Sequence, residues 1–123
     1  MVVILSVGVG GAAGAILRWL ISQAISGLSA PAFWATLFVN VVGCILMGFL
    51  VVYLDARWPS ETIVRPGILV GLLGGFTTYS AFSMEAVGML AAGLYSRAAV
   101  YILSTLILCI LATWAGLILG RSA

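Results

Sequence analysis

Read as a succession of apolar and polar stretches, the chain falls into four long hydrophobic runs divided by three short gatherings of polar and turn-forming residues. The first run extends from about Val2 to Ile25 and stops at Ser26-Gly27-Leu28-Ser29-Ala30-Pro31, where glycine, serine and proline signal a helix end and restart. The second covers about Ala32 to Leu54. Asp55 to Pro66 follows, with four charged residues and two prolines, and reads as a loop in water. The third run spans about Gly67 to Leu94 and the fourth about Ala98 to Leu119; Tyr95-Ser96-Arg97 divides them and Gly120-Arg121 closes the last. A hydrocarbon core of about 30 Å takes roughly 20 apolar residues per helix. The pattern therefore predicts an all-α integral membrane protein, a single four-helix transmembrane domain over residues 1–123 with no soluble domain. Met-Val-Val-Ile-Leu at the start lacks the basic residues of a signal peptide, so the first run is expected to be retained.

The third run is irregular. Its middle reads Gly71-Leu-Leu-Gly74-Gly75-Phe-Thr77-Thr78-Tyr79-Ser80, flexible and β-branched residues where a plain spanning helix would carry Leu and Ala. A break is expected near Gly74 to Thr78. Backbone freed inside a membrane is tolerated only where protein buries it or a cavity receives it, and half-helix ends in transporters coordinate ions. The alternative is that Gly71-xxx-Gly75, like Gly10-xxx-Gly14, merely lets helices approach closely.

Composition sharpens the reading. Hydrophobic residues make up 64% of the chain and charged ones 7%, too few to cover a water-soluble globule. The charges are five Arg and three acids (Asp55, Glu61, Glu85), with no Lys and no His. No basic patch for nucleic acid follows from them, and without His the usual transition-metal clusters and nucleophile relays are excluded, leaving an expectation that the protein is not an enzyme. With four spans, Arg57, Arg65 and Arg121 lie on one side and Arg97 and Arg18 on the other. Since the Lys/Arg bias sets topology, so even a split lets the chain insert both ways. Four short helices cannot easily surround an aqueous path, so an antiparallel dimer is expected.

Several polar residues sit within the apolar runs. Asn40 lies deep in the second, and a buried amide needs a partner helix, water or ion. Thr36, Asn40, Cys44 and Gly48 recur every four residues and share one helix face. They read either as interhelical glue or, for the Asn amide, as N–H donors offered to an anion. Tyr79 and Phe82 form an aromatic face beside a hydroxyl face of Thr77, Ser80 and Ser83. Ring edges are positive and can face an anion; the plainer reading is packing. In the fourth run Tyr101, Thr105, Cys109 and Thr113 form a polar row that either lines a pathway or bonds back to its own carbonyls. Arg18 and Glu85 are the charges within or beside spans: Arg18 is expected to snorkel or to act near the path, Glu85 to face a vestibule or carry a proton. Gly8-x-Gly10 follows no strand and is no dinucleotide motif.

Gly10-Gly11-x-x-Gly14-Ala15-x-x-Arg18, Thr36-Leu-x-Val-Asn40-x-x-Gly43 and Gly74-Gly75-Phe-Thr77-Thr78-Tyr79-Ser80-Ala-Phe82-Ser83 together resemble the CrcB/Fluc family of fluoride channels over essentially the whole chain. The resemblance implies a dual-topology, antiparallel homodimer in the bacterial inner membrane that exports fluoride passively and relieves its toxicity. It implies a structural sodium ion at the dimer centre, held by backbone carbonyls of Gly74 and Thr77 in the broken third helices. It puts Tyr79 and Phe82 in the place of the family's pore-facing phenylalanines and Asn40 in that of its pore asparagine. Its polar track falls on Ser80, Ser83, Tyr101, Thr105, Cys109 and Thr113, with Glu85 near the vestibule and Arg18 near the pore mouth. Tyr79 for phenylalanine and Cys109 for a hydroxyl depart from the family pattern. Two other readings compete: a small dual-topology proton-coupled exporter of lipophilic cations, which needs a central carboxylate, and a structural subunit of a larger membrane complex.

Overall fold

The computed structural model describes residues 1–58 and 63–123. Among them every regular element is helical, and four segments are long and apolar enough to cross a membrane: Val2–Gly27, Ala32–Arg57, Val64–Ala91 and Tyr95–Ser122. We label Val2–Gly27 α1 and Ala32–Arg57 α2. The third segment is composite: α3 (Val64–Pro66), a π-helical run Gly67–Leu73, α4 (Gly74–Phe76) and α5 (Tyr79–Ala91). The last is α6 (Tyr95–Ser122).

The ends depart from the hydrophobic pattern for local reasons. Asp55–Arg57 continues α2 and Val64–Pro66 already belongs to the next helix, so the polar stretch expected to be loop is helical at both edges. Asp55 pairs with Arg65 at 3.2 Å and the Arg57 guanidinium stacks 4.0 Å from the Tyr53 ring, which extends ordered structure into the charged region. The centre of that stretch, residues 59–62 and Glu61 with it, lies outside the described residues. The last connection is also earlier than the polar pattern indicated: the turn is Ala92–Leu94, and Tyr95, Ser96 and Arg97 open α6. Gly93 explains it. It takes φ +75, and the Gly93 and Leu94 N–H groups donate to the carbonyls of Leu90 and Met89, closing α5 with a glycine C-cap before any polar residue is reached.

Two pairs of helices pack backbone to backbone. A Cβ on Gly10 or Gly14 would collide with the carbonyls of Gly67 or Leu72, and one on Gly71 would lie 2.6 Å from the carbonyl of Val7. Glycines on both surfaces thus seat α1 on the first limb of the third segment, the close approach that small residues permit in lipid. In the other pair, Gly48 of α2 faces the backbone at Thr113, while Gly116 and Gly120 of α6 face the backbone at Ile45 and Phe49. These contacts advance in the same direction along both chains, so α2 and α6 run parallel. Leu, Ile and Trp side chains on the remaining surfaces are exposed, as lipid-facing positions require.

Candidate functional site

The site begins where the third segment stops being helical. Thr77 (φ −80, ψ 158) and Thr78 (φ −150, ψ 116) are extended between α4 and α5. Three side chains take up the backbone groups this releases. Asn40 is buried on α2 and engages Thr78 with both edges of its amide: Nδ2 donates to the Thr78 carbonyl at 2.9 Å, and the Thr78 N–H donates to Oδ1 at 2.7 Å. The Thr78 hydroxyl accepts from the Ala81 N–H at 3.2 Å and so caps α5, a contact worth about 1 kcal/mol. From α1, Arg18 Nε donates to the Gly75 carbonyl at 3.1 Å.

The diverted donors matter for two carbonyls. The N–H that would close an α-helical bond onto Gly74, that of Thr78, goes to Asn40, and the one that would reach Thr77, that of Ala81, goes to the Thr78 hydroxyl. Thr77's own N–H and hydroxyl both donate to Leu73 at 3.0 Å. Because the extended pair turns the chain here, Thr77 does not continue the face of Ser80 and Ser83, contrary to the periodic reading. The grouping failed because it ran one helix through the irregular segment.

Beside Thr77 and Thr78 lies a cavity of ≈ 310 Å³ between α2, α5 and α6. Asn40, Cys44, Tyr79, Phe82, Thr105, Cys109 and Thr113 line it, with Met47, Leu106 and Ile110. Parallel packing explains the assembly: the row Thr36, Asn40, Cys44, Gly48 on α2 and the row Tyr101, Thr105, Cys109, Thr113 on α6 face each other in register. Glu85 marks one end of that register, accepting from the Thr36 hydroxyl at 2.7 Å and the Tyr101 hydroxyl at 2.6 Å. Gly48 against the Thr113 backbone marks the other. In the α6 row, Thr105 and Thr113 donate to the carbonyls of Tyr101 and Cys109, as the second alternative has it, while their residues also line the cavity.

The remaining candidates fall elsewhere. Tyr101 is buried and lines a second cavity of ≈ 380 Å³ with Phe33, Trp34, Arg97 and Ser104. Between the two cavities the rings of Phe33, Tyr101, Phe82 and Tyr79 follow one another at centroid distances of 5.4, 5.3 and 5.5 Å, all tilted. Ser80 is exposed and meets the Thr78 hydroxyl at 3.2 Å; Ser83 donates to the Tyr79 carbonyl at 3.0 Å. Neither lines a cavity described here, and nor does Arg18. Thr78 went unnoticed in the sequence as the residue that organises the break. Its signal was a Thr directly before a helix start.

A polytopic four-helix membrane protein with an irregular, side-chain-clamped third segment beside a polar-striped cavity is the class these features define. Residues 5–117 match the family described as CrcB-like protein, Camphor Resistance (CrcB). The chain is 42% identical over 123 residues to a protein named fluoride-specific ion channel FluC from Agrobacterium fabrum, covering 99% of this chain and 98% of that one. It is 42% identical over 120 residues to the FluC of Rhizobium meliloti (97% and 96%) and 40% identical over 116 residues to that of Magnetococcus marinus (94% and 94%). The chain belongs to the CrcB family.

Proposed function

We propose that this protein is a passive fluoride channel of the bacterial inner membrane that lets fluoride leave the cytoplasm, and that it works as an antiparallel homodimer inserted in both orientations. Kinship over nearly the whole length with proteins named fluoride-specific ion channels carries this reading. Among physical observations, the one that best supports it is the wall of the cavity beside Thr78, which offers an anion donors and ring edges without a full positive charge. An Asn amide has two N–H donors; one of Asn40's is given to Thr78, and this reading assigns the second to the passing ion. Tyr79 and Phe82 add rings whose C–H edges are positive, and Thr105 and Thr113 can serve the ion only by turning their hydroxyl protons away from the Tyr101 and Cys109 carbonyls. A fixed cation such as Arg would hold fluoride too tightly to release it, and binding must be weak enough for the ion to leave. No bond is made or broken, so no enzymatic group is required. Fluoride enters acidic surroundings as the uncharged acid, ionises in the neutral cytoplasm, and is driven out by the inside-negative potential, about 2.3 kcal/mol per charge per 100 mV.

The dimer and its sodium ion rest on the family resemblance and on two features of the third segment. Gly74 and Thr77 keep carbonyls whose helical donors are engaged elsewhere, which suits a hard cation that takes oxygen ligands. Gly74 is exposed with open space where a Cβ would project, and Tyr79 is 76% exposed; both are surface that a second copy could cover. Sodium bound between the copies would supply fixed positive charge at their junction.

The test is reconstitution of the purified chain alone into liposomes loaded with fluoride or chloride, with release followed by ion-selective electrodes after a potassium ionophore is added. Rapid fluoride loss with chloride retained is expected. Retention of both anions by a demonstrably dimeric preparation would overturn the reading.

A further inference from the structure

The cavity beside Thr78 carries three sulfur atoms for which anion passage gives no reason. Cys44 and Cys109 occupy corresponding places in the two rows of α2 and α6 that face each other, between the pair bridged by Glu85 and the contact of Gly48 with the Thr113 backbone. Both thiols are free, both are part-buried, and both line this cavity. Met47, three residues on from Cys44 and so on an adjoining part of the same helix face, lines the cavity as well. Two thiols and a thioether therefore line one apolar pocket between α2, α5 and α6.

We propose that Cys44, Met47 and Cys109 form a binding site for a soft monovalent metal ion of the copper(I) and silver(I) type, and that an ion held there closes the cavity to anions. Thiolate and thioether ligands select such ions. The chain has no His, and among the described residues no group of three or more His, Cys, Asp or Glu could hold a metal. Zinc, which takes four ligands in structural sites, is thus poorly served by two thiols and a thioether, whereas a monovalent d10 ion is satisfied by two or three sulfurs. Binding displaces one thiol proton to solvent, since the metal takes one thiolate. One thiolate, one neutral thiol and the thioether around a monovalent ion leave no net charge in an apolar wall, which avoids the cost of a buried charge. The part of the proposal that concerns closure rests on the fluoride-channel reading; the part that concerns binding does not.

The experiment titrates the purified full chain with silver nitrate in chloride-free buffer, counts bound silver, and measures how many thiols remain open to maleimide. One silver ion per chain that protects both thiols is expected. Removing one arm of a two-thiol clasp forfeits its local concentration, so Cys44→Ser and Cys109→Ser each weaken binding by on the order of 10² to 10⁴, and Met47→Leu weakens it less. Two silver ions per chain of equal affinity would overturn the proposal, as would single-serine variants that bind as tightly as the parent. So would a mixture of the two serine variants that regains a tight site, because the clasp would then lie between chains. The stoichiometry and thiol protection are read on the unaltered chain, so a variant that fails to fold does not remove the test. In liposomes, silver at one equivalent is expected to stop fluoride release, with restoration by a dithiol chelator. Tight one-to-one binding with undiminished release would uphold the metal site and overturn passage through this cavity.

Discussion

Asn40 and Thr78 hold each other by both edges of one amide, with Nδ2 at 2.9 Å from the Thr78 carbonyl and Oδ1 at 2.7 Å from its N–H. The pair is a single rung of a β-ladder made by a side chain, and it joins α2 to the extended residues between α4 and α5. One consequence is that the residue expected to offer donors to an anion also maintains the irregular backbone on which the cavity depends.

Asn40→Asp separates these roles from simple volume. The carboxylate still accepts from the Thr78 N–H, but it has no donor for the carbonyl and places negative charge on the cavity wall. Leaving one buried group unsatisfied costs roughly 1–3 kcal/mol, and repulsion of a passing anion adds to it. Fluoride release from liposomes should fall by about two orders of magnitude or more, since each 1.4 kcal/mol on a barrier is roughly tenfold. Release at the parental rate would show that fluoride does not pass Asn40.

The glycine contacts predict a contrast within one helix. Gly14→Ala drives a Cβ into the Leu72 carbonyl and the Phe76 N–H, both backbone atoms that cannot step aside. Gly8→Ala meets nothing within 4 Å. Overpacking of this kind costs typically about 1–3 kcal/mol, whereas an exposed Gly→Ala in a helix gains up to roughly 1 kcal/mol. Thermal unfolding in detergent should therefore lower the midpoint for Gly14→Ala and leave it equal or raised for Gly8→Ala. Equal loss in both would mean that α1 does not pack through Gly14.

What the sequence disclosed follows from which forces act locally. Membrane helices announce themselves because about 20 apolar residues are needed whatever their neighbours do, so the presence of four helices long and apolar enough to cross a membrane was legible. The turn at Gly93 was missed since the polar cluster Tyr95-Ser96-Arg97 outweighed a lone glycine, although φ +75 at that glycine is what ends α5. The two rows of residues on α2 and α6 were each visible as i+4 repeats, yet nothing in either row says that they face one another. That is a property of the parallel packing set by Gly48, Gly116 and Gly120. The partners of Glu85 and Arg18 were hidden for the same reason. A hydroxyl from α2, a hydroxyl from α6 and a carbonyl from α4 reach them across long sequence separations.

The aromatic pair makes a further prediction through its unequal burial. Phe82 is 6% exposed and packs at 5.3 Å on Tyr101, while Tyr79 is 76% exposed. Tyr79→Phe keeps the ring and its edges and removes only the phenolic hydroxyl. It should leave fluoride release within about threefold of the parent, well under the tenfold that 1.4 kcal/mol would bring. Phe82→Ile removes the ring edge from the cavity and the ring contact with Tyr101, worth roughly 0.5–1.5 kcal/mol, and should slow release by about tenfold or more. The reverse order, with the phenol indispensable and Phe82 dispensable, would put the ion against the Tyr79 hydroxyl.

Glu85 discriminates a channel from a proton-coupled exporter. Its two oxygens accept from Thr36 at 2.7 Å and from Tyr101 at 2.6 Å, so the carboxylate braces α5 between α2 and α6. In Glu85→Gln one hydroxyl still donates to the amide oxygen. The other can rotate to accept from the amide nitrogen, because a hydroxyl is both donor and acceptor. The brace therefore survives, weakened by the loss of charge-assisted character, which is roughly half of each bond's strength. A passive anion pore needs no proton on this residue, so fluoride release should persist within about tenfold of the parent, and an imposed pH gradient should drive no uptake of a lipophilic cation by either protein. An exporter requires the titrating carboxylate and would give gradient-driven cation uptake in the parent that vanishes in Glu85→Gln. Tyr101→Phe supplies the structural control. It leaves Glu85 with one partner, should lower the unfolding midpoint through a loss of roughly 1–3 kcal/mol, and should do so whichever transport chemistry the protein performs.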